Sequence, residues 1–146
     1  MNKSCWLLKG ECLDVQPAGY QGFVYKITNT IDGRIYIGKK VFTFSKKKKI
    51  SKKTRVATKT RKKSERVQVD GKWLDYWGSS KELMADIALL GKDKFTREIL
   101  HLCTTKQQLS YYEVVEILNN RTMFVPSYNG WVSFRVFKNK FLTEII

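Results

Sequence analysis

Residues 22–28, Gly-Phe-Val-Tyr-Lys-Ile-Thr, put Phe23, Tyr25 and Ile27 at every second position, the rhythm of a strand that buries one face. Asn29-Thr30-Ile31-Asp32-Gly33 follows with turn chemistry, because Gly33 accepts the positive φ that closes an Asp-Gly hairpin. Arg34 to Gly38 then reads as the returning strand, so the two segments predict a β-hairpin. Ser79-Ser80-Lys81-Glu82 has the form of a capping box in which Ser79 and Glu82 satisfy each other's backbone amides. Leu83, Ile87 and Leu90 recur behind it at helical spacing and Gly91 ends the run. Lys94 to Leu102 alternates as a third strand. Thr105 and Gln108 form a second box ahead of Leu109, Tyr112, Val115 and Ile117, predicting a second helix to about Leu118.

The order is therefore ββ, insertion, α, β, α. It predicts an α/β (α+β) fold with a small three-stranded antiparallel sheet flanked by helices. Between the hairpin and the first helix, residues 39–75 hold too few apolar positions for a buried element and read as an insertion or flexible loop. Trp73, Tyr76 and Trp77 at its end are expected to dock on the core. The pattern divides the chain into an N-terminal extension (1–21), a domain (22–137) carrying a basic insertion (41–72), and a C-terminal tail (138–146). Trp131 to Phe137 alternates as a possible last strand, and the first 20 residues give no clear pattern.

Length and composition bound this picture. A chain of 146 residues fits one domain and can bury a real core, and 42% hydrophobic with 13% aromatic residues is too apolar for general disorder. The net charge is +15, which attracts polyanions, nucleic acid foremost. Most of it is local: residues 46–66 carry twelve Lys or Arg against the single acid Glu65. A solvated run is one reading of that segment, and an arm that orders on phosphates is the other. The residues expected to meet DNA are Lys46, Lys47, Lys48, Lys49, Lys52, Lys53, Arg55, Lys59, Arg61, Lys62 and Lys63, with Lys81 at the helix start.

Cys5, Cys12 and Cys103 match no zinc spacing and are expected to be reduced thiols. No apolar stretch approaches the ~20 residues that span a bilayer, and the N-terminus does not read as a secretory signal. The expected setting is cytoplasmic, that of a bacterial host if the chain is phage-encoded, with no membrane partner. Whether it acts as a monomer or a homodimer stays open.

The hairpin holds Phe23-Val24-Tyr25, ten intervening residues, then Tyr36-Ile37-Gly38. This resembles the paired tripeptides of the GIY-YIG nuclease family, and the likeness spans roughly residues 22–131. It is also similar to free-standing, homing-type phage members in the Trp-Gly-Ser-Ser-Lys segment that opens a helix after a basic insertion. The resemblance implies a metal-binding glutamate on a later helix, matched by Glu113 with Glu116 as the fallback, and a late Tyr-Asn, matched by Tyr128-Asn129. It also implies a magnesium-dependent endonuclease acting on DNA, with manganese able to substitute. One departure stands out: the family's Arg about ten residues beyond the second tyrosine is here Lys46. Its role falls to Lys39 or Lys40, to Arg55 or Arg61, or to Lys72 with Tyr76 one turn on, and Lys40 is favoured.

Phosphodiester hydrolysis needs an activated water, charge stabilisation at phosphorus and help for the leaving 3′ oxygen. A divalent cation held by Glu113 would meet the last two demands. Tyr25 and Tyr36 are the candidates to position or deprotonate the water, which requires neighbouring cations to lower a phenol pKa of ~10. Lys39 and Lys40 would face growing phosphate charge, Gly38 and Tyr76 would support the tyrosines, and Asn129 would hold the loop near Glu113. His101 reads as structural. The rival reading is a non-catalytic nucleic-acid-binding module on the same scaffold, and a third is an inactive relative that targets DNA for a partner enzyme.

Overall fold

The computed structural model describes residues 4–133 and residue 135. In chain order the elements are β1 (Trp6–Leu8), β2 (Glu11–Leu13), β3 (Gly22–Asn29), β4 (Ile35–Val41), β5 (Thr43–Lys49), α1 (Lys52–Ala57), β6 (Ser64–Asp70), α2 (Lys81–Leu90), β7 (Phe95–Cys103) and α3 (Lys106–Asn119). The expected hairpin is β3–β4: Gly33 takes φ +78° and donates to the Asn29 carbonyl at 2.8 Å. Asn29 Oδ1 also accepts from the Ile31 amide at 2.9 Å, an Asx turn that fixes where the strands reverse.

The sheet has five strands, not three, in the order β2-β1-β7-β3-β4. The two additions come from the N-terminal residues, where β1 runs parallel to β7 and antiparallel to β2. A three-residue strand is too short for alternation to register, which is why residues 6–13 gave no pattern. Cys5 and Cys12 are paired across this small hairpin, with Cα atoms 5.8 Å apart, in place of the two free thiols expected; Cys103 is free and buried.

Both faces of the sheet are covered. On one, Trp6, Phe23, Tyr25, Ile27, Phe95 and Ile99 pack with Trp73, Trp77 and the α2 residues Leu83 and Ile87. On the other, Val24, Ile37 and Cys103 pack with Leu109 and Ile117 of α3. Trp73 and Trp77 are buried, as their clustering predicted. Helix α2 starts one residue later than expected: its cap is Ser80, accepting from the Leu83 amide at 3.3 Å. Ser79 and Glu82 are instead drawn away to Tyr36 and Arg34, so the reciprocal box does not form. At α3, Thr105 accepts from the Gln108 amide at 3.2 Å as expected.

The insertion is ordered. Strands β5 and β6 pair antiparallel over seven residues each as a separate two-stranded sheet, with α1 between them. Its scarcity of apolar positions was the argument for a loop; a two-stranded ribbon needs no buried face along its length, and pairing alternates the lysines onto two faces. The expected last strand over 131–137 is not seen: residues 131–133 are irregular, and positions 134, 136 and 137 lie outside the described residues. No helix among the described residues is long and apolar enough to cross a membrane.

Candidate active site

Strand β4 is an edge of the main sheet, so side chains from both faces can meet around it. A groove there is lined by Tyr25, Tyr36, Lys39, Tyr76, Glu113 and Asn129, and also by Ser79, Glu82 and Trp131. Tyr25 stands on β3, one strand inward, and reaches the edge by lying across β4. Its register partner is Gly38, and a Cβ on Gly38 would lie 2.4 Å from the Tyr25 hydroxyl oxygen and 2.6 Å from Cζ. A glycine at that position is therefore what lets the phenol into the groove.

Alternation along β4 sorts its residues. Tyr36, Gly38 and Lys40 share the face of the aromatic core, whereas Ile37 and Lys39 face α3. Lys39 Nζ accordingly meets Glu113 Oε2 at 2.9 Å and Ser110 Oγ at 3.1 Å, rounding the edge from below. Lys40, the favoured cation, stands over the Tyr76 ring at 4.2 Å from its centroid and lies beside the groove rather than in it. Of the cations weighed for the missing family arginine, Lys39 is the one that lines the groove; Arg55, Arg61 and Lys72 do not.

The phenols are tuned opposite to expectation. Burial, the Tyr76 and Tyr36 hydroxyls and the Glu113 charge all hold the Tyr25 proton well above the usual phenol range. Tyr36 is also raised, chiefly by burial, against the partial relief of its 2.9 Å hydrogen bond with Ser79. The lysines do not win because Lys39 is turned to Glu113 and Lys40 to Tyr76, leaving desolvation to dominate at the phenols. At neutral pH both tyrosines are hydroxyl donors.

Asn129 acts on the backbone. Its Nδ2 donates to the Ile37 carbonyl at 2.8 Å and its Oδ1 accepts from the Ile37 amide at 2.9 Å, so one side chain satisfies both backbone groups of an edge residue. The Tyr128 amide donates to Ile35 O at 2.9 Å, which extends this pseudo-ladder by one rung. The loop after α3 is thereby sewn to β4, next to Glu113. Glu116, the fallback ligand, faces elsewhere: it binds His101 Nε2 at 2.8 Å and the Asn120 amide group at 3.1 Å. His101 also stacks on Tyr112, 4.4 Å between centroids, in keeping with a structural role.

Three groups around the groove were not singled out from the sequence. Ser79, assigned to the helix cap, is the partner of Tyr36; the second serine, adjacent to Lys81, was the signal for the shift. Arg34 binds Asp32, Glu82 and Asp86 and lies over Tyr128, whose hydroxyl donates to Asp86 at 2.8 Å and accepts from buried Asn29 at 3.0 Å. Arg97 sits in the core between the rings of Trp6 and Trp77, 4.6 and 4.2 Å from their centroids. It donates to the carbonyls of Leu74 and Tyr76, both at 2.8 Å, and of Ser4. Burial pushes its pKa down to about 10, against the weaker opposing pull of the Asp75 charge. A charged residue at the inward position between Phe95 and Ile99 was the available sign.

The basic side chains named for DNA contact are distributed along the ribbon. Lys46 to Lys49 lie on β5, Lys52, Lys53 and Arg55 on α1, and Lys59, Arg61, Lys62 and Lys63 in the segment leading to β6. All are exposed except Arg55, which is half-buried, and Lys81 is exposed at the start of α2.

Searches of curated proteins and of solved structures returned no match. The family model for the GIY-YIG domain of the putative endonuclease segE matches residues 6–134, a span that takes in β1 as well as the Tyr25 and Tyr36 strands, Glu113 and Asn129. With nearly the whole described chain inside that match, this protein belongs to the GIY-YIG family of endonucleases.

Proposed function

We propose that the chain is a divalent-metal-dependent DNA endonuclease whose hydrolytic centre is the groove over β4, with Tyr25, Tyr36, Lys39 and Glu113 as its working residues. The observation that carries this reading is the convergence of two phenols from the aromatic face and one carboxylate from α3 on the same edge-strand groove. A Glu on a merely packed helix would have no reason to share a groove with them.

The donor set fits magnesium. Glu113 is a single hard carboxylate, its side chain 21% exposed, opening onto hydroxyl-lined space, which suits an ion that keeps most of its waters. Among the described residues no three His, Cys, Asp or Glu side chains converge, which argues against a protein cage of the zinc or calcium kind. Bound there, magnesium or manganese would supply Lewis-acid polarisation of a phosphate oxygen and of the leaving oxygen.

The chain's own residues have distinct tasks in this reading. Tyr25 and Tyr36, held protonated, donate hydrogen bonds to phosphate oxygens, and their hydroxyl oxygens accept from the attacking water to orient it; neither is the base that takes its proton. Lys39, paired with Glu113 here, would be free to turn to the phosphate if that carboxylate held a metal ion, and there it would stabilise charge gained in the transition state. Tyr76 packs edge-on to Tyr25 and fixes its approach. Asn129 keeps the groove wall registered to Ile37. The most direct test incubates purified protein with supercoiled plasmid and magnesium or manganese: nicking should appear, stop with chelator and vanish in Glu113→Gln. Undiminished nicking by that variant overturns the assignment. A phage or mobile-element role, homing or the degradation of host or competitor DNA, accords with the family; sequencing the cut ends would distinguish a specific cutter from a general one.

A further inference from the structure

Strands β5 and β6 make a ribbon of seven rungs, from Thr43–Asp70 to Lys49–Ser64, about 20 Å long at strand rise. Its root is fixed: Phe42 is fully buried against Phe23 and Trp73. The Phe42 amide donates to Gln21 O, and the Gly71 amide to Phe42 O. The ribbon therefore projects from the strand that bears Tyr36, Gly38 and Lys39. Gly38 and Thr43 are five residues apart, so at most about 17 Å of extended chain separates the groove from the first rung.

The pairing register splits the lysines between two faces, and the faces differ. One carries Phe44, Lys46 and Lys48 opposite Val69, Val67 and Glu65. The other carries Ser45, Lys47 and Lys49 opposite Gln68, Arg66 and Ser64. The first is thus partly apolar and holds an acid among its cations; beyond the root, the second has cations and small polar groups only. Lys47 and Arg66 stand directly opposite each other, an arrangement that destabilises a ladder unless an anion lies between them. The second face is also concave. One depression is lined by Lys47, Lys49, Arg55, Lys63, Ile50 and Ser64; a second is lined by Lys47, Lys62, Ser64 and Arg66, and there the neighbouring Glu65 also contributes. Arg55, beside the first, has its Nε buried with no hydrogen-bond partner, an N–H whose burial costs free energy until an acceptor reaches it.

We infer that the ribbon grips the phosphate backbone of a DNA duplex through the Lys47–Lys49–Arg66 face alone, with Arg55 and Lys63 completing an anion pocket there. The choice of DNA rests on the endonuclease reading; the assignment of the face does not. Phosphate oxygens supply what the face lacks: negative charge between Lys47 and Arg66, and acceptors for unsatisfied N–H groups. The opposite face contributes little, because Lys46 and Lys48 stand among Val67, Val69 and Glu65.

Two variants of equal charge loss on the same strand separate this from a diffuse polycation: Lys47→Ala with Lys49→Ala, and Lys46→Ala with Lys48→Ala. Affinity for a short DNA duplex is measured in chelator, across a salt series, with circular dichroism as the folding control. The first pair should weaken binding about 10-fold near physiological salt and flatten the slope of log K against log salt by about 2. The second should change affinity less than about 2-fold and the slope by under about 0.5. Equal losses from the two pairs, or none from the first, overturn the inference, as does tighter binding of an RNA duplex of the same sequence than of the DNA. Binding is read without metal, so a chain that shows this difference between the two faces yet never nicks plasmid when magnesium or manganese is added would sink the endonuclease reading and leave this one standing. A full-length Arg55→Met variant provides a second probe: it keeps the side-chain bulk, and its affinity should fall about 3-fold or more on loss of one charge-assisted contact.

Discussion

The phenol of Tyr25 passes over Gly38 so closely that no side chain fits beneath it; even a methyl carbon would lie 2.4 Å from the hydroxyl oxygen. The family's paired tripeptides thus describe one contact. The tyrosine of the first strand needs the glycine of the second, and neither is informative without the other.

Gly38→Ala should therefore expel the Tyr25 ring from its bed. The cost of such overpacking is about 1–3 kcal/mol, visible as a lowered urea midpoint. Cleavage should fall further than stability accounts for, since the phenol is displaced from the groove. Normal activity in a folded Gly38→Ala protein would separate Tyr25 from the chemistry.

On the proposed reading, a metal ion at Glu113 would have to displace Lys39, which pairs with that carboxylate at 2.9 Å. Lys39→Met should bind manganese about 3- to 10-fold more tightly, because the only cation within 4 Å of that carboxylate among the described residues has gone. Cleavage should nonetheless drop when metal is saturating. Calorimetry gives the first quantity and plasmid nicking the second; a Lys39→Met enzyme that gains both would remove Lys39 from the transition state.

Asn129→Asp should be worse than Asn129→Ala. Alanine loses two hydrogen bonds to Ile37, about 1–3 kcal/mol in all. Aspartate keeps an acceptor for the Ile37 amide but turns a charge toward the Ile37 carbonyl, where a donor is needed. Thermal melts of the two variants decide the order, and equal melting temperatures would mean that the loop does not depend on this pair.

Alkaline pH should destabilise the fold in two windows. Burial raises Cys103 to about 12, so the folded chain holds that proton more tightly than the unfolded one. The resulting stability is complete below the unfolded thiol pKa of ~8.5 and is lost as pH rises toward the folded value. Tyr25, raised in the same direction, adds a loss that begins near the unfolded phenol value of ~10. Arg97, lowered to about 10, has the opposite sign, since its folded state releases a proton more readily. Differences between variants therefore carry the test: Cys103→Ala should flatten the urea midpoint from about pH 8.5 upward, and Tyr25→Phe only from about pH 10. Unchanged slopes in both would contradict the burial argument.

Much of this was legible because it rests on periodicity. Phe23, Tyr25 and Ile27 gave β3, Leu83 and Ile87 gave α2, and Leu109 and Ile117 gave α3. Two-residue alternation puts Lys40 on the face of Tyr36 and Lys39 on the opposite one, but that Lys39 reaches the groove rests on its contact with Glu113 from α3, which no pattern along β4 contains. Strands β1 and β2 were invisible because three residues carry no period and Trp6 is recognised only by what it packs against. The ribbon was misread for another reason. Lysine-rich sequence is a poor strand former by propensity, yet pairing to Val67 and Val69 and a buried Phe42 at the root outweigh that preference. The phenol pKa shifts were out of reach, since they depend first on how deeply each ring is buried and then on the neighbouring Tyr76 and Glu113.

Trp6 donates its indole N–H to Trp73 O at 2.8 Å, and Arg97 reaches back to Ser4 while holding Tyr76 by its carbonyl. The opening residues consequently behave as a splint for the aromatic segment that backs Tyr25. A chain shortened to begin at the first motif strand would retain each residue that touches the groove and lose the brace that keeps them aligned. Engineering a smaller cutter from this scaffold has to start upstream of residue 4, not at the motif that gives the family its name.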